Sequence, residues 1–184
     1  PEAYLKEDFD DAVYTRLDPW HYTQRIDGQV FDFAHFMERP DLYENSILPY
    51  AERTNLFMAC HFWDPRSPEM LSSTVLASGR LPISLVADIS CDIGGPIAST
   101  IRASTIASPF YGYDPASGKE TPPFEEGVIT VMAVDNLPGE LPRDASADFG
   151  KALMEHVIPE LLGEGDSGML RRASIASNGA LTPG

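Results

Sequence analysis

Two apolar segments that end in polar residues constrain the fold of this chain more than any other feature. The first covers residues 83–89 and continues into a polar loop with two glycines, residues 90–95, whereas the second covers residues 127–134 and continues into a polar turn. Each pattern predicts a strand whose carboxyl end carries polar side chains. In open α/β sheets ligands bind at this edge, because the loops there vary while the strands hold them in place.

A third apolar run, residues 55–62, predicts another buried strand. Prolines at positions 65 and 68 end this run, and Ser67 is expected to cap a helix that extends to about Ala77 and stops at Gly79. Strand-helix-strand crossovers are right-handed and join parallel strands, so residues 55–62 and 83–89 are expected to be parallel neighbours. The predicted fold class is therefore α/β, with part of a doubly wound parallel sheet.

The rest of the chain predicts a pair of strands and a long helix. Residues 110–115 and 127–134 indicate two strands joined through the turn-rich residues 116–119. A helix is expected from Pro142 onward, and Pro159 should bend it or loosen a turn. Its apolar residues recur at helical spacing and predict one buried face, formed by Leu153, Met154, Val157, Ile158, Leu161 and Leu162.

Charge and composition narrow the classes of partner. The net charge of −15 and a pI near 4.4 disfavour binding to nucleic acid or to an anionic membrane, since both are polyanions. No apolar run approaches the ~20 residues that cross a bilayer, and no signal-peptide pattern stands at the start. Cys60 and Cys91 are expected to be reduced, which favours a cytoplasmic location. His21, His35 and His156 lack partners at metal-ligand spacing, so no metal site is expected.

Four sequence blocks carry a family resemblance. They are residues 58–63 with Ser67 and Pro68 after them, residues 88–95, residues 135–145 and residues 177–181. From about residue 54 to residue 162 the chain resembles the C-terminal half of the alanine dehydrogenase and transhydrogenase superfamily, and within it the lysine-ketoglutarate reductase and saccharopine dehydrogenase branch. The resemblance implies an oxidoreductase with a Rossmann-type dinucleotide domain, of which this chain supplies the second half.

The resemblance also implies a division of the chain. Residues 1–53 would form an irregular or helical insertion, residues 54–138 the second half of the dinucleotide-binding domain, and residues 139–184 a helix and tail that pack on the catalytic domain. Residues 163–168 are glycine-rich, but they follow a helix in an acidic stretch and are interpreted as a linker, not a phosphate loop. The resemblance places the phosphate loop and the family's catalytic lysine and histidine in the N-terminal part of the same enzyme.

For the parent enzyme, the resemblance implies the reductive joining of lysine and 2-oxoglutarate into saccharopine, or the oxidation of saccharopine. The expected cofactor is NAD or NADP, and the residue that selects between them belongs to a part of the fold outside this chain. The expected partners are an amino acid and a 2-oxo acid as substrates, with a homo-oligomer also considered. Two alternatives stay open, namely an alanine dehydrogenase-like enzyme and a non-catalytic regulatory or assembly module with the same fold.

The candidate site residues lie at the three strand ends. The resemblance places Asp92 beside the nicotinamide ring as a catalytic carboxylate, and the alternative is that Asp92 caps the turn into Gly94 and Gly95. The residues expected to bind the cofactor are Cys60, His61, Ile89, Ser90, Cys91, Asp92, Val134, Asp135, Asn136 and Leu137. For each the alternative is a purely structural role. His61 could transfer protons, although a packing or cofactor-contact role is favoured, and Arg143 is expected to bind a substrate carboxylate or to pair with a neighbouring acid.

Overall fold

The computed structural model describes residues 1–163, 165 and 167–182. Two compact units divide the chain, Pro1–Leu137 and Pro138–Gly184. Glu164 and Asp166, which belong to the stretch interpreted as a linker, lie outside the described residues. Among the helices that are described, none is long and apolar enough to cross a membrane.

Short helices and strands alternate along the described chain. In chain order they are α1 (Glu2–Lys6), α2 (Pro19–Tyr22), β1 (Thr23–Arg25), α3 (Phe33–Glu38), β2 (Tyr43–Asn45), α4 (Leu48–Ala51), β3 (Leu56–Ala59), α5 (Ser73–Ala77), β4 (Leu85–Asp88), β5 (Phe110–Asp114), β6 (Lys119–Thr121), β7 (Ile129–Met132), α6 (Pro142–Ala152), α7 (Ile158–Leu161), α8 (Met169–Ala173), β8 (Ala176–Ser177) and β9 (Ala180–Leu181). Two 3₁₀ turns, Pro40–Leu42 and Leu137–Glu140, and a π-helical segment, Leu153–Val157, complete the description.

A five-stranded mixed sheet with the order β3-β4-β7-β5-β6 organises the first unit. β3, β4 and β7 are parallel, with Ala59 opposite Asp88 and Ala87 opposite Met132. This arrangement confirms the predicted α/β class with a partial Rossmann-type sheet. It also confirms that the strands predicted within residues 55–62 and 83–89 are parallel neighbours. Both strands are shorter than their apolar runs, because residues beyond Ala59 and Asp88 turn away into loops.

The remaining strands of the sheet, β5 and β6, are antiparallel to their neighbours. β5 pairs antiparallel with β7 and with β6, a short strand that sequence analysis did not predict. The connections 115–118 and 122–128 leave no room for a crossover, which takes about a dozen residues, so these strands cannot be parallel. In the first connection the Asp114 carboxylate accepts hydrogen bonds from the Ala116 N–H at 2.9 Å and the Ser117 hydroxyl at 2.6 Å.

The helix after β3 begins later than expected. Ser72, not Ser67, caps α5, and its hydroxyl oxygen accepts a hydrogen bond from the Val75 N–H. Residues 70 and 71 cannot be helical, because their N–H groups both donate to the Pro96 carbonyl, at 2.8 and 2.9 Å. The helix does end at Ser78, and Gly79 follows with a positive φ of 69°, as the glycine signal predicted.

The hydrophobic core of the first unit lies against the three parallel strands. Val86 and Val131 are completely buried, as central strands covered on both faces require. The fifteen buried members of the core cluster are Ile47, Ala51, Phe57, Ala59, Met70, Leu71, Leu76, Ile83, Val86, Ile97, Tyr111, Tyr113, Ile129, Val131 and Ala133. Their burial holds the carboxyl ends of β3, β4 and β7 in fixed relative positions.

Residues before β3 form a small antiparallel pair with an aromatic cluster. β1 pairs with β2, so that Thr23 lies opposite Asn45. The rings of Phe31 and Phe36 pack edge-on against Tyr43, with centroids 5.5 and 5.0 Å away. This contact explains why the segment is ordered although its sequence has little periodicity.

The second unit contains the predicted long helix, interrupted by a π-helical turn. The Ile158 N–H donates to the Leu153 carbonyl, five residues back, just before Pro159, which has no N–H to continue the α-helical pattern. The predicted loosened turn is therefore confirmed. None of the apolar residues of the predicted stripe is buried by the described chain, and Met154, Leu161 and Leu162 are well exposed.

Candidate functional site

The carboxyl ends of the three parallel strands form one edge of the sheet. Residues 60–63 follow β3, residues 89–95 follow β4 and residues 133–137 follow β7. The Ile89 N–H donates to the Ala59 carbonyl at 2.8 Å, and the Cys91 thiol donates to the Ala133 carbonyl at 3.2 Å. The structure therefore brings together the three groups of residues that sequence analysis singled out.

Asp88, the last residue of β4, organises this edge. Its side chain is completely buried. Oδ1 accepts hydrogen bonds from the Ser90 hydroxyl at 2.5 Å and from the Cys91 N–H at 3.0 Å, and Oδ2 accepts one from the Thr100 hydroxyl at 2.6 Å. A buried carboxylate is tolerated only when such donors surround it, so these contacts account for its position.

The loop after Asp88 has a backbone that few residues adopt. Cys91 has a φ of 52°, in the left-handed region, and Gly94 has a φ of 65°. A Cβ on Gly95 would lie 2.7 Å from the Asp92 Cβ and from the Asp92 carbonyl oxygen, so only glycine fits there. The turn itself thus explains both glycines.

Asp92 lies on this loop with a partly exposed side chain. Its carbonyl accepts a hydrogen bond from the Gly95 N–H at 2.9 Å. Its carboxylate accepts none from the residues that the structure describes, and Asp88 makes the side-chain contacts that cap the loop. The Asp92 carboxylate is therefore free to face a ligand at this edge.

Acidic groups dominate the electrostatics of the edge. Burial raises the pKa of the Cys91 thiol, and the charges of Asp88, Asp135 and Asp92 raise it further. For His61, burial is the largest effect and lowers the pKa, while the charges of Asp88 and Asp92 oppose that decrease. An edge with this charge disfavours phosphate and favours a cationic ring or an ammonium group.

His61 and Trp63 line a cavity of about 20 Å³ next to this edge. His61 Nε2 and Trp63 Nε1 are both enclosed and have no hydrogen-bond partner in the described part of the chain. The other lining residues are Tyr22, Thr23, Phe36, Asn45, Phe62, Ser67, Pro68 and Met70. A cavity of this volume admits about one water molecule, so it is too small for a nicotinamide ring.

The remaining candidate residues differ in accessibility. Cys60, Ile89, Asp135 and Asn136 are exposed, whereas Ser90 and Leu137 are partly buried. Val134 is buried and packs beside Ser104, so only its main chain could contact a cofactor.

Two other kinds of interaction are absent from the described residues, namely a metal-binding group and an ion pair of Arg143. No group of three or more His, Cys, Asp or Glu residues there could hold a metal ion. Arg143, in α6, forms no ion pair with Asp144 or with any other described acid.

Two residues of this edge were missed by sequence reasoning. Asp88 could have been found, since a charged residue that ends a buried apolar run requires hydrogen-bond partners. Thr100 carries no comparable signal, because it stands in a stretch of small and β-branched residues that gives no clear prediction.

No protein-family model matches the chain. Individual relatives do match, and three of them carry the name alpha-aminoadipic semialdehyde synthase. The chain is 33% identical to the alpha-aminoadipic semialdehyde synthase of Arabidopsis thaliana in an alignment of 165 positions, which covers 84% of the chain and 15% of that protein. It is 31% identical to the mitochondrial alpha-aminoadipic semialdehyde synthase of Mus musculus and 28% identical to that of Bos taurus, over 88% of the chain and 20% of each protein. The chain thus spans a fifth or less of these relatives.

The predicted cytoplasmic location is wrong. The mouse and cattle relatives are named as mitochondrial proteins. The prediction depended on two cysteines, both free in the structure, and a free thiol does not distinguish one reducing compartment from another.

Proposed function

The chain is homologous to one segment of the alpha-aminoadipic semialdehyde synthases, and we propose that it supplies the nicotinamide side of a dinucleotide-binding domain in a larger amino-acid dehydrogenase. The larger enzyme joins lysine and 2-oxoglutarate into saccharopine, or oxidises saccharopine. A nicotinamide cofactor, NAD or NADP, supplies or accepts the hydride when bound. The proposal includes the domain division given above, in which residues 54–138 are the second half of that domain.

The observation that carries the proposal is the convergence of three parallel strand ends on one acidic edge. Parallel α/β sheets bind dinucleotides at the carboxyl ends of their strands. Here that edge carries Asp92, which is partly exposed, and Asp135, which is exposed. The negative charge suits the oxidised nicotinamide ring, which is cationic, better than the pyrophosphate, which is anionic. This preference supports assigning the edge to the nicotinamide half.

Asp92 is the residue we assign to the reacting centre. Its carboxylate is partly exposed and takes no hydrogen bond from described residues. In that position it stabilises positive charge that develops on the substrate amine or the nicotinamide ring as hydride is transferred. His61, Cys60 and the residues after β7 line the same edge and contribute contact surface and main-chain groups.

An assay of cofactor oxidation by the whole enzyme tests the proposal. The longer polypeptide that contains this segment is given NADH or NADPH, with lysine and 2-oxoglutarate in one reaction and with pyruvate and ammonia in another. We expect oxidation of the cofactor only with lysine and 2-oxoglutarate. Oxidation only with pyruvate would instead assign the alanine dehydrogenase type of reaction, and no oxidation in either reaction would favour a non-catalytic module.

A variant pair tests the role of Asp92. Asp92→Asn should lower kcat by about tenfold or more while the KM for the nicotinamide cofactor stays within about threefold, because the lost interaction belongs to the transition state. Glu125→Gln is the matched control, since Glu125 is an exposed acid on the loop before β7, at the opposite edge of the sheet. Equal kinetics for Asp92→Asn and Glu125→Gln would remove Asp92 from the mechanism.

A further inference from the structure

We propose that Asp88 is a positioning residue, whose buried carboxylate holds the loop of residues 89–95 and thereby sets where Asp92 lies. The inference depends on the proposed function, because it concerns the residue assigned above to the reacting centre. Asp88 itself is completely buried and cannot touch a ligand, so its influence must pass through the loop.

The hydrogen bonds of Asp88 tie two separate parts of the chain together. Oδ1 holds the loop through the Ser90 hydroxyl and the Cys91 N–H, and Oδ2 holds Thr100, which lies beyond the loop. Thr100 also reaches back to the loop, since its carbonyl accepts a hydrogen bond from the Gly94 N–H at 3.2 Å. The loop is thus fixed near both of its ends.

Thr100 is itself anchored to the core. The Tyr111 hydroxyl donates to the Ser99 carbonyl at 2.9 Å, and it accepts from the Ile101 N–H at 3.1 Å. Tyr111 is buried in β5, which lies between β7 and β6 in the sheet. Through Thr100, therefore, Asp88 connects the Asp92 loop to a rigid strand.

The loop needs this restraint because its backbone is unfavourable. Cys91 has a positive φ, which a residue with a Cβ seldom adopts unless surrounding contacts impose it. The Cys91 N–H is the group that Asp88 binds directly. Without that contact the loop can relax toward other conformations, and Asp92 moves with it.

The test compares Thr100→Val with Thr100→Ser in the intact enzyme. Thr100→Val removes the hydroxyl but keeps the shape, so it loosens the restraint without emptying the core, whereas Thr100→Ser keeps the donor. Asp88→Ala removes all three contacts. Asp114→Ala is its matched control, because Asp114 caps the β5–β6 turn with a similar pair of hydrogen bonds outside the candidate site.

The first readout is the alkylation rate of Cys91, followed by peptide mass spectrometry without added cofactor. In the unsubstituted chain the Cys91 thiol donates a hydrogen bond to the Ala133 carbonyl, which holds it in place. We expect Thr100→Val to raise the rate by about fivefold or more, as expected when a held thiol becomes accessible. Thr100→Ser and Asp114→Ala should react at the wild-type rate. An unchanged rate in Thr100→Val would overturn the inference, even if Asp88→Ala fails to fold.

The second readout is a double-mutant comparison of kcat. Thr100→Val should lower kcat by about tenfold with little change in KM, because a small displacement of a catalytic group costs rate more than binding. If Thr100 acts through Asp92, Thr100→Val should cost nothing further in an Asp92→Asn background. Fully additive losses would contradict positioning through Asp92.

The outcomes separate this inference from the proposed function. A slow Asp92→Asn enzyme with a normal Thr100→Val enzyme would overturn the positioning role and leave the proposed function intact. If Asp92→Asn keeps full turnover, the proposed role of Asp92 fails, and with it the claim that Asp88 positions a catalytic group. Cys91 alkylation then still decides whether Asp88 holds the loop.

Discussion

At the scale of single residues, the candidate edge holds two enclosed polar groups that differ in whether they have hydrogen-bond partners. Asp88 has three donors around it, while Nε2 of His61 is enclosed and without a partner in the described chain. A satisfied carboxylate stabilises its surroundings, since each hydrogen bond to a charged group contributes about 1.5–3 kcal/mol. An unsatisfied imidazole instead makes the folded state sensitive to protonation.

The protonation of His61 should make the folded state less stable in acid. Burial lowers its pKa below the ordinary 6.5, so below that pH the unfolded chain binds this proton more readily than the folded chain does. Stability contributed by the neutral imidazole is therefore fully present above about pH 6.5 and decreases as the pH falls through the lowered pKa. We expect the urea midpoint of the chain to decrease over that interval, and to decrease less for His61→Gln.

The control for this pH dependence is His156→Gln, which removes an exposed histidine of the second unit. The urea midpoint of this variant should change with pH in the same way as that of the wild type. If His61→Gln and the wild type lost stability in parallel, burial of His61 would not be the cause of the acid sensitivity.

At the scale of elements, close contact between neighbouring segments determines where a side chain can be added. Gly112 lies in the middle of β5, and a Cβ there would meet the Pro122 carbonyl and lie 2.7 Å from Val128 Cγ1. Gly150 lies in α6, and a Cβ there would meet nothing within 4 Å. The same substitution should therefore have opposite effects at the two positions.

Gly112→Ala should destabilise the chain by about 1–3 kcal/mol, because the backbone of Pro122 must shift to admit a methyl group. Gly150→Ala should stabilise α6 by about 0.5–1 kcal/mol, since alanine loses less backbone entropy in a helix. Urea unfolding of the two variants beside the wild type measures both changes. Destabilisation of similar size at both positions would show that the space around the added Cβ does not determine the change in the free energy of unfolding.

At the scale of the whole molecule, the sequence predicted the parallel part of the fold and much of the candidate edge, and the reasons for its failures are physical. Continuous apolar runs ended by polar residues identified β3, β4 and β7. β6 was missed because Lys119–Thr121 is short and polar, and it is a strand only through pairing with β5. Ser67 resembled a helix cap, but the Pro96 carbonyl, which is distant in sequence, takes the N–H groups of residues 70 and 71. Contacts of this kind leave no local pattern.

The apolar stripe of the second unit should make the chain associate when it is studied alone. Exposed fractions of 67% for Met154, 59% for Leu161 and 70% for Leu162 leave apolar surface in contact with water. Burial of that surface between copies is favourable, at about 25 cal/mol per Å². The net charge of −15 opposes association by repulsion, so added salt should increase it.

Sedimentation of the chain at low and high salt tests this expectation. Leu162→Lys, which places a charge in the stripe, should decrease association, whereas Glu155→Gln should leave it unchanged or increase it slightly, although each changes the net charge by one unit in the same direction. Equal effects of the two substitutions would mean that charge alone controls association. A monomer at every salt concentration would mean that the stripe is too small or too irregular to hold copies together, and the apolar spacing of this helix would then need another explanation.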